Sequence, residues 1–377
     1  MKSQKIRNLS FYLHRYIGLF VGLILIIIGL TGSLLVFEQE INRWQVSQQF
    51  GQVSPQEQRV SMETILNNVK TTYANQPELK LRSMNMLPKN STYTVYLKTP
   101  NDAQINVFVN PYSGAIMGDR QWESSFWGIV FKLHYALLAG RTGEIIVGIA
   151  ALLLLILSIT GIILWPGWRR LINGFKIKWQ AHPKRVNFDI HKVFGIITAV
   201  FLGLIAFTGF CWNFYDFTKP AIYAVTSTPN LPEPISKPVT GKPPLGLAEI
   251  LQKADAALPG AVTTYITFPS KPEDAFAIYK KQPQESNDYG DSAVYLDQFS
   301  GAVLRLQNGL SLPLGDRVLN SFTPLHYGTF WGLPTRILYV FVGLAPLILS
   351  VTGWVMWSYR RRLDTLNPTD TLEPLQR

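Results

Sequence analysis

The chain has 377 residues, with 35 Lys and Arg against 24 Asp and Glu, a formal net charge of +11, and a hydrophobic content of 47%. Its single cysteine, Cys211, excludes an internal disulfide, so domains outside the cell must hold together by packing alone. The excess positive charge lies in short segments beside apolar runs, which makes it a topology signal and argues against nucleic-acid binding.

Residues 1–15 are basic and lead into an uncharged run, 16–37. Further uncharged runs cover 145–165, 193–215 and 337–357, and each of the four has 21 to 23 residues. A bilayer core needs about 20 helical residues, so four membrane spans are predicted. The first run is too long for a signal-peptide core, and Phe37-Glu38-Gln39-Glu40 offers no small-residue cleavage site, so it is expected to remain as an anchor.

Between the first two spans, 38–126 is predicted to be a small α+β domain. It has a helix over 61–73, with Ile65, Val69 and Tyr73 four apart, strands over 92–97 and 105–109, an Asn-Pro-Tyr-Ser-Gly turn and a short strand over 115–117. Segment 127–144 carries His134 ahead of the second span. The loop 166–192 is short and basic, with no room for a flavin or nicotinamide domain. After the third span, 216–322 holds a Pro-rich linker (220–243) and a second α+β domain, with a helix over 247–257 and strands over 263–268, 275–279 and from 294. Segment 323–336 carries His326 ahead of the fourth span, and 358–377 is a polar tail, read as disordered from 364.

If 1–15, 166–192 and 358–377 face the cytoplasm, they hold fifteen Lys/Arg and four Asp/Glu, which accounts for the whole +11. Short basic loops stay inside, so both termini are expected in the cytoplasm and 38–144 and 216–336 on the far side.

The two halves repeat. Leu13-His14-Arg15-Tyr16-Ile17-Gly18 matches Ile190-His191-Lys192-Val193-Phe194-Gly195, and each leads to a Thr-Gly pair 17 and 18 residues after its histidine (Thr31-Gly32, Thr208-Gly209). Leu133-His134-Tyr135 matches Leu325-His326-Tyr327, and each again leads to a Thr-Gly pair (Thr160-Gly161, Thr352-Gly353). Four of the five histidines fall at repeated positions; His182 does not, and reads as a loop residue. The repeats run parallel, related by an axis near the membrane normal, which predicts a four-helix bundle under two outer domains.

His14 and His191 belong to the cytoplasmic side and His134 with His326 to the far side. A core ~30 Å thick separates them into two two-histidine sites. Two ligands are few for structural zinc but suit iron already held by a porphyrin. Gly18 and Gly195 lie on the histidine-bearing faces and either leave space for a flat cofactor or let helices pack closely. Arg15 and Lys192 are candidates for haem propionates or for positive-inside anchors. Arg141 and Arg336 are weaker candidates on the far side. Trp165 and Trp357 are read as interface anchors.

Val-Phe-Val-Asn-Pro-Tyr-Ser-Gly (107–114) and Val-Tyr-Leu-Asp-Gln-Phe-Ser-Gly (294–301) resemble PepSY domains, with Gln298 where the turn usually carries Pro. With the histidine-bearing segments, the chain from about residue 8 to 363 resembles the PepSY-associated transmembrane family, which includes iron-regulated membrane proteins and inner-membrane ferric-siderophore reductases. The resemblance implies two b-type haems on His14, His191, His134 and His326. It also implies a bacterial inner-membrane location and electron transfer from a cytoplasmic or quinol donor to a ferric siderophore or other ferric chelate, for iron uptake. A non-enzymatic PepSY module that binds a peptide or partner protein is the alternative. A transporter is disfavoured, because the uncharged runs lack the intramembrane charges that mark ion pathways.

Overall fold

The computed structural model describes residues 2–87, 92–239 and 241–366. The end of the expected disordered tail, 367–377, lies outside the described residues.

The chain runs α1 (Lys2–Leu35), α2 (Glu38–Phe50), α3 (Met62–Thr72), β1 (Lys80–Asn85), β2 (Tyr93–Lys98), β3 (Gln104–Val109), β4 (Ile116–Gln121), α4 (Phe126–Ala136) and α5 (Gly140–Leu164). A short α6 (Leu171–Phe175) follows. The same order then recurs: α7 (Pro183–Asn213), α8 (Tyr215–Val225), α9 (Leu247–Ala257), β5 (Val262–Thr267), β6 (Phe276–Lys281), β7 (Ser292–Leu296), β8 (Val303–Gln307), α10 (Leu314–Tyr327) and α11 (Leu333–Leu366).

The residues divide into two compact units. The first (Met1–Phe37, Val130–Ala221, Ser321–Arg377) contains the four helices long and apolar enough to cross a membrane, over Gln4–Leu35, Gly140–Trp168, Pro183–Asn213 and Leu333–Arg361. At 29 to 32 residues they outrun the uncharged runs, chiefly at their basic ends. At ~1.5 Å per residue that length suits a bilayer with its headgroups, about 40–45 Å, better than the hydrocarbon alone. α1 packs on α5 and α11, and α7 packs on the same two, so α1 and α7 occupy one diagonal of the bundle. Val21 and Leu25 pack with Ala150, and Leu202 with Val342 and Ala345. At Gly29 a Cβ would lie 2.4 Å from the Gly343 carbonyl, so that part of the glycine face of α1 serves helix packing.

The second unit (Glu38–Ile129, Ile222–Asn320) holds both expected α+β domains, joined through their sheets. Its strands form one eight-stranded antiparallel sheet in the order β4-β3-β2-β1-β5-β6-β7-β8. β1 and β5 join the halves, with Ser83 opposite Thr267 and Asn85 opposite Tyr265. Pairing these two edges removes a pair of strand edges that each half would otherwise expose. β1 escapes sequence reading because Lys-Leu-Arg-Ser-Met-Asn shows no apolar alternation.

α3 starts at Ser61, whose hydroxyl accepts from the Thr64 N–H. α3 (Ile65, Leu66, Val69) and α9 (Leu247, Ile250, Ala254) bury apolar stripes in one core with Val95, Val107, Ile266, Ile278 and Val294. The two Ser-Gly turns share the same pair of side-chain-to-backbone bonds. Asn110 Oδ1 accepts from the Tyr112 and Ser113 N–H groups, and Asp297 Oδ1 accepts from those of Phe299 and Ser300. Gly114 and Gly301 close the turns at φ of 71° and 67°. Gln298, in the usual Pro position, keeps this geometry while its amide donates to the carbonyls of Lys271, Pro272 and Asp274.

Candidate functional site

His14 and His191 lie two to three turns inside α1 and α7, on the bundle diagonal, with ring centroids 6.1 Å apart and planes at 85°. His134 and His326 lie in the last turns of α4 and α10, 6.2 Å apart with planes at 77°. After each outer histidine the chain turns sharply into its span. Leu137 and Leu138 have φ of 49° and 58° in the first half, and Gly328 and Gly332 have φ of 70° in the second. Positive φ is uncommon for leucine, so that turn is held by the packing around it.

The Thr-Gly pairs are the seats of these rings. Thr160 Oγ1 lies 3.0 Å from His14 Nδ1, Thr352 Oγ1 2.8 Å from His191, Thr31 Oγ1 3.1 Å from His134 and Thr208 Oγ1 2.7 Å from His326. Each hydroxyl also donates to a carbonyl four residues back in its own helix (Ile156, Ile348, Ile27, Leu204), at 2.6–2.9 Å. Its proton is thus spent, and the hydroxyl can only accept from the imidazole. At His134 the Ile28 carbonyl, 2.9 Å from Nδ1, requires the same direction. We assign the proton to Nδ1 on all four rings, which leaves Nε2 with a free lone pair.

The glycine that follows each threonine leaves room for the ring. A Cβ would stand 3.0 Å from His134 Cε1 at Gly32, 3.3 Å from His14 Cε1 at Gly161, 3.3 Å from His326 Cε1 at Gly209 and 3.6 Å from His191 Cε1 at Gly353.

A first-row metal sits about 2.0 Å from an imidazole nitrogen, itself about 1.1 Å from its ring centre, so two rings flanking one ion stand roughly 6 Å apart. Both pairs have this spacing. Among the described residues no group of three or more His, Cys, Asp or Glu side chains converges as a metal site, so each pair offers two ligands only.

The inner pair opens on a cavity of 530 Å³. Gly18 and Gly195 line it, and a Cβ at either would meet only Leu157 Cδ2 or Leu349 Cδ2, at 3.7 Å. Arg15 lines it too. Lys192, the other propionate candidate, also lines the cavity, and its ammonium donates to the Asn173 and Lys176 carbonyls and to Asp189 Oδ1, at 2.8–3.0 Å. Three protons on three acceptors leave it no donor for a ligand, and it ties the cytoplasmic loop to α7. Trp165 is corrected. It is 5% exposed, wedged against Gly167 and Gly174, and no interface anchor.

At the outer pair the Trp212 ring lies 4.8 Å from that of His326. Burial lowers the pKa of His134; burial and the neighbouring His134 lower that of His326 to about 3. Neutral rings are the form that binds a metal. Arg141 pairs with Glu144 at 2.9 Å, and Arg336 donates to the Val36 carbonyl and stacks over Phe37. His182 caps α7, accepting from the Lys184 N–H.

Thr31, Thr160, Thr208 and Thr352 are the ring-contacting residues that sequence reasoning passes over as mere repeat markers. Their signal is present, since every repeated histidine is matched by one Thr-Gly pair. No curated protein matches the sequence. The family model described as PepSY-associated TM region matches residues 11–360, nearly the whole chain, and with the four apolar helices it identifies a multi-pass membrane protein that belongs to this family.

Proposed function

We propose that this chain is a dihaem oxidoreductase of the bacterial inner membrane. It takes electrons on the cytoplasmic side, from a flavoprotein or a quinol, and delivers them outside to a ferric siderophore or similar ferric chelate. The observation that carries the reading is the doubled geometry: two pairs of imidazoles with centroids 6.1 and 6.2 Å apart, each ring with a threonine hydroxyl at its Nδ1. A porphyrin iron needs only two axial ligands. His14 and His191 would hold the inner haem, and His134 and His326 the outer.

Haem iron, when bound, supplies reversible one-electron transfer. The chain's own residues supply the rest. The threonines fix tautomer and ring orientation, and the glycines admit the ring edges. Apolar side chains such as Leu25, Leu154, Leu157 and Leu202 line the inner cavity and keep it poor in water. Thr31, at the level of His134, is 17 residues along α1 from His14, about 25 Å at 1.5 Å per residue, so two sites suit a relay across the membrane. The basic ends of the spans support a cytoplasmic inner pair. The recurring element order supports an origin by duplication, with parallel repeats. Reduction of Fe(III) to Fe(II) by one delivered electron weakens its hold in hard-oxygen chelators and needs no acid–base residue.

The test is an absorption spectrum of detergent-purified protein from a haem-replete host, oxidised and dithionite-reduced, with haem quantified per chain. Two b-type haems per chain with six-coordinate reduced bands are expected, together with oxidation of the reduced protein by a ferric chelate. Protein free of haem would overturn the reading and leave the non-enzymatic PepSY module, binding a peptide or partner protein, as the better account.

A further inference from the structure

The inner cavity departs from the repeat symmetry at its basic end. Arg15 and Lys192 follow the two inner histidines at equivalent positions. Lys192 has all three protons on protein acceptors. The Arg15 Nε is buried with no hydrogen-bond partner. Trp165 and Trp357 are also equivalent positions, beyond the Thr-Gly pairs of the second and fourth spans. Trp357 lies under the Arg361 guanidinium, 5.2 Å from its ring centroid. Trp165 is 5% exposed, and its Nε1–H has no acceptor.

Arg15, Lys192, Trp165 and Trp357 all line the cavity that holds His14 and His191, and of the four only Arg15 and Trp165 carry a buried donor without an acceptor. A buried side-chain donor without an acceptor is an exception in a folded protein and demands an account. Two around one cavity call for an acceptor on whatever occupies it. The sign of the surroundings says which kind. Arg7, Arg360 and Lys192 join Arg15 in the lining, and among the described residues no Asp or Glu does. Arg7 reaches the Leu164 carbonyl at 3.4 Å, and Arg360 lies 5.2 Å from the Phe11 centroid, so both stay at this end. An arginine fork with an excess of positive charge suits a carboxylate rather than a neutral carbonyl.

We infer that Arg15 and Trp165 form a carboxylate-binding site at the basic end of the inner cavity, and that its ligand is a propionate of the inner haem. This rests on the dihaem reading. It assigns the anchoring of that carboxylate to the first repeat, with Lys192 taking no part.

The test uses full-length, detergent-solubilised protein loaded with haem carrying carbon-13 at its propionate carboxyls. Redox-difference infrared spectra and separate titrations of the two haems are recorded for wild type, R15Q, W165F and, as the symmetry control, W357F. In R15Q and W165F the labelled carboxylate bands should shift. In R15Q the inner haem potential should also fall, because a cation near the iron is lost. The outer potential should be unchanged in both, and W357F, which also alters the cavity lining, should leave the labelled carboxylate bands as in wild type. If the labelled bands and the inner potential of R15Q and W165F equal those of wild type, the inference is wrong while the dihaem reading stands. If wild type holds no haem, both fall. Gly167 and Gly174 pack on the Trp165 ring, so W165F can misfold. That would show as loss of the outer haem as well, and R15Q would then decide alone.

Discussion

At the inner pair, His14 and His191 meet within two long helices and open on a 530 Å³ cavity lined by arginine and tryptophan. At the outer pair, His134 and His326 come from the ends of two short helices, and Trp212 closes over one ring. Beneath these different settings the seat is one device used four times: a threonine that accepts the Nδ1 proton and a glycine that clears the ring edge. What the pairs share fits one kind of ligand at both sites; what they do not share sets the two sites apart. Breaking the shared device should weaken either site, while the unshared residues should act on one site only.

The largest effect belongs to the histidines. His14→Ala or His191→Ala should remove one haem and leave the outer one, and His134→Ala or His326→Ala the reverse. Haem per chain and the number of titrating steps check this. Loss of both haems from a well-folded single variant would show that the pairs are not independent sites.

Next come the threonines. Thr160→Val and Thr352→Val act on the inner pair, Thr31→Val and Thr208→Val on the outer. Each keeps side-chain volume and removes a hydroxyl that accepts from an Nδ1–H; at His134 the Ile28 carbonyl remains as a second acceptor. Loss of such an orienting partner typically costs about 10–100-fold in metal affinity. Competition for haem by an apoprotein acceptor measures it, and the loss should be smallest in Thr31→Val, where the Ile28 carbonyl still accepts from His134.

The glycines sharpen the comparison further, because their clearances differ. Gly32→Ala would press a methyl to 3.0 Å from the His134 ring, whereas Gly353→Ala would leave 3.6 Å to that of His191. The outer reduced band should therefore broaden or weaken in the first variant, and the inner band stay near wild type in the second. The reverse order would mean that the rings are not seated as described.

Much of this was legible in the sequence. The uncharged runs, the duplicated histidine positions and their sorting into two pairs follow from hydropathy and equal spacing. The seats were not, although their residues were in plain view. Thr31-Gly32 lies five turns along the helix that carries His14, so helical periodicity ties it to that histidine, but its contact is with His134, folded back on the same bundle. Neither periodicity nor spacing reports which neighbouring helix meets a given face. Lys192 shows the same limit from the other side. Its charge suggested a ligand, but Asp189 one turn earlier, with two loop carbonyls, completes its bonding. In the second unit, the joining of β1 to β5 depends on a strand whose sequence carries no alternating pattern.

The smallest predicted effect compares the two copies of a turn. Asn110 and Asp297 accept from the same two turn N–H groups, one neutral and the other charged, and Asp297 also accepts from the Lys237 N–H and the Ser300 hydroxyl. Burial alone would raise the Asp297 pKa, but bonds from the Lys237, Ser300 and Phe299 N–H groups and the Ser300 hydroxyl outweigh it and hold the carboxyl below its ordinary value. A carboxyl with a depressed folded-state pKa contributes stability that is present above its unfolded value, about 3.9, and lost as the pH falls through the lower folded one. The first turn has no such term. In Asp297→Asn, Oδ1 can still accept from Phe299 and Ser300, but an amide N–H₂ replaces the oxygen that faces the Lys237 N–H, so one charge-assisted bond is lost, at a cost of about 1.5–3 kcal/mol. Thermal unfolding of the second unit, followed by its sheet signal from pH 6 downward, should show wild type losing stability below about pH 4. The variant should start lower at pH 6 and lose less over the same interval, as its neutral counterpart at Asn110 already implies. Parallel curves would mean that the charge of Asp297 is not what holds its turn.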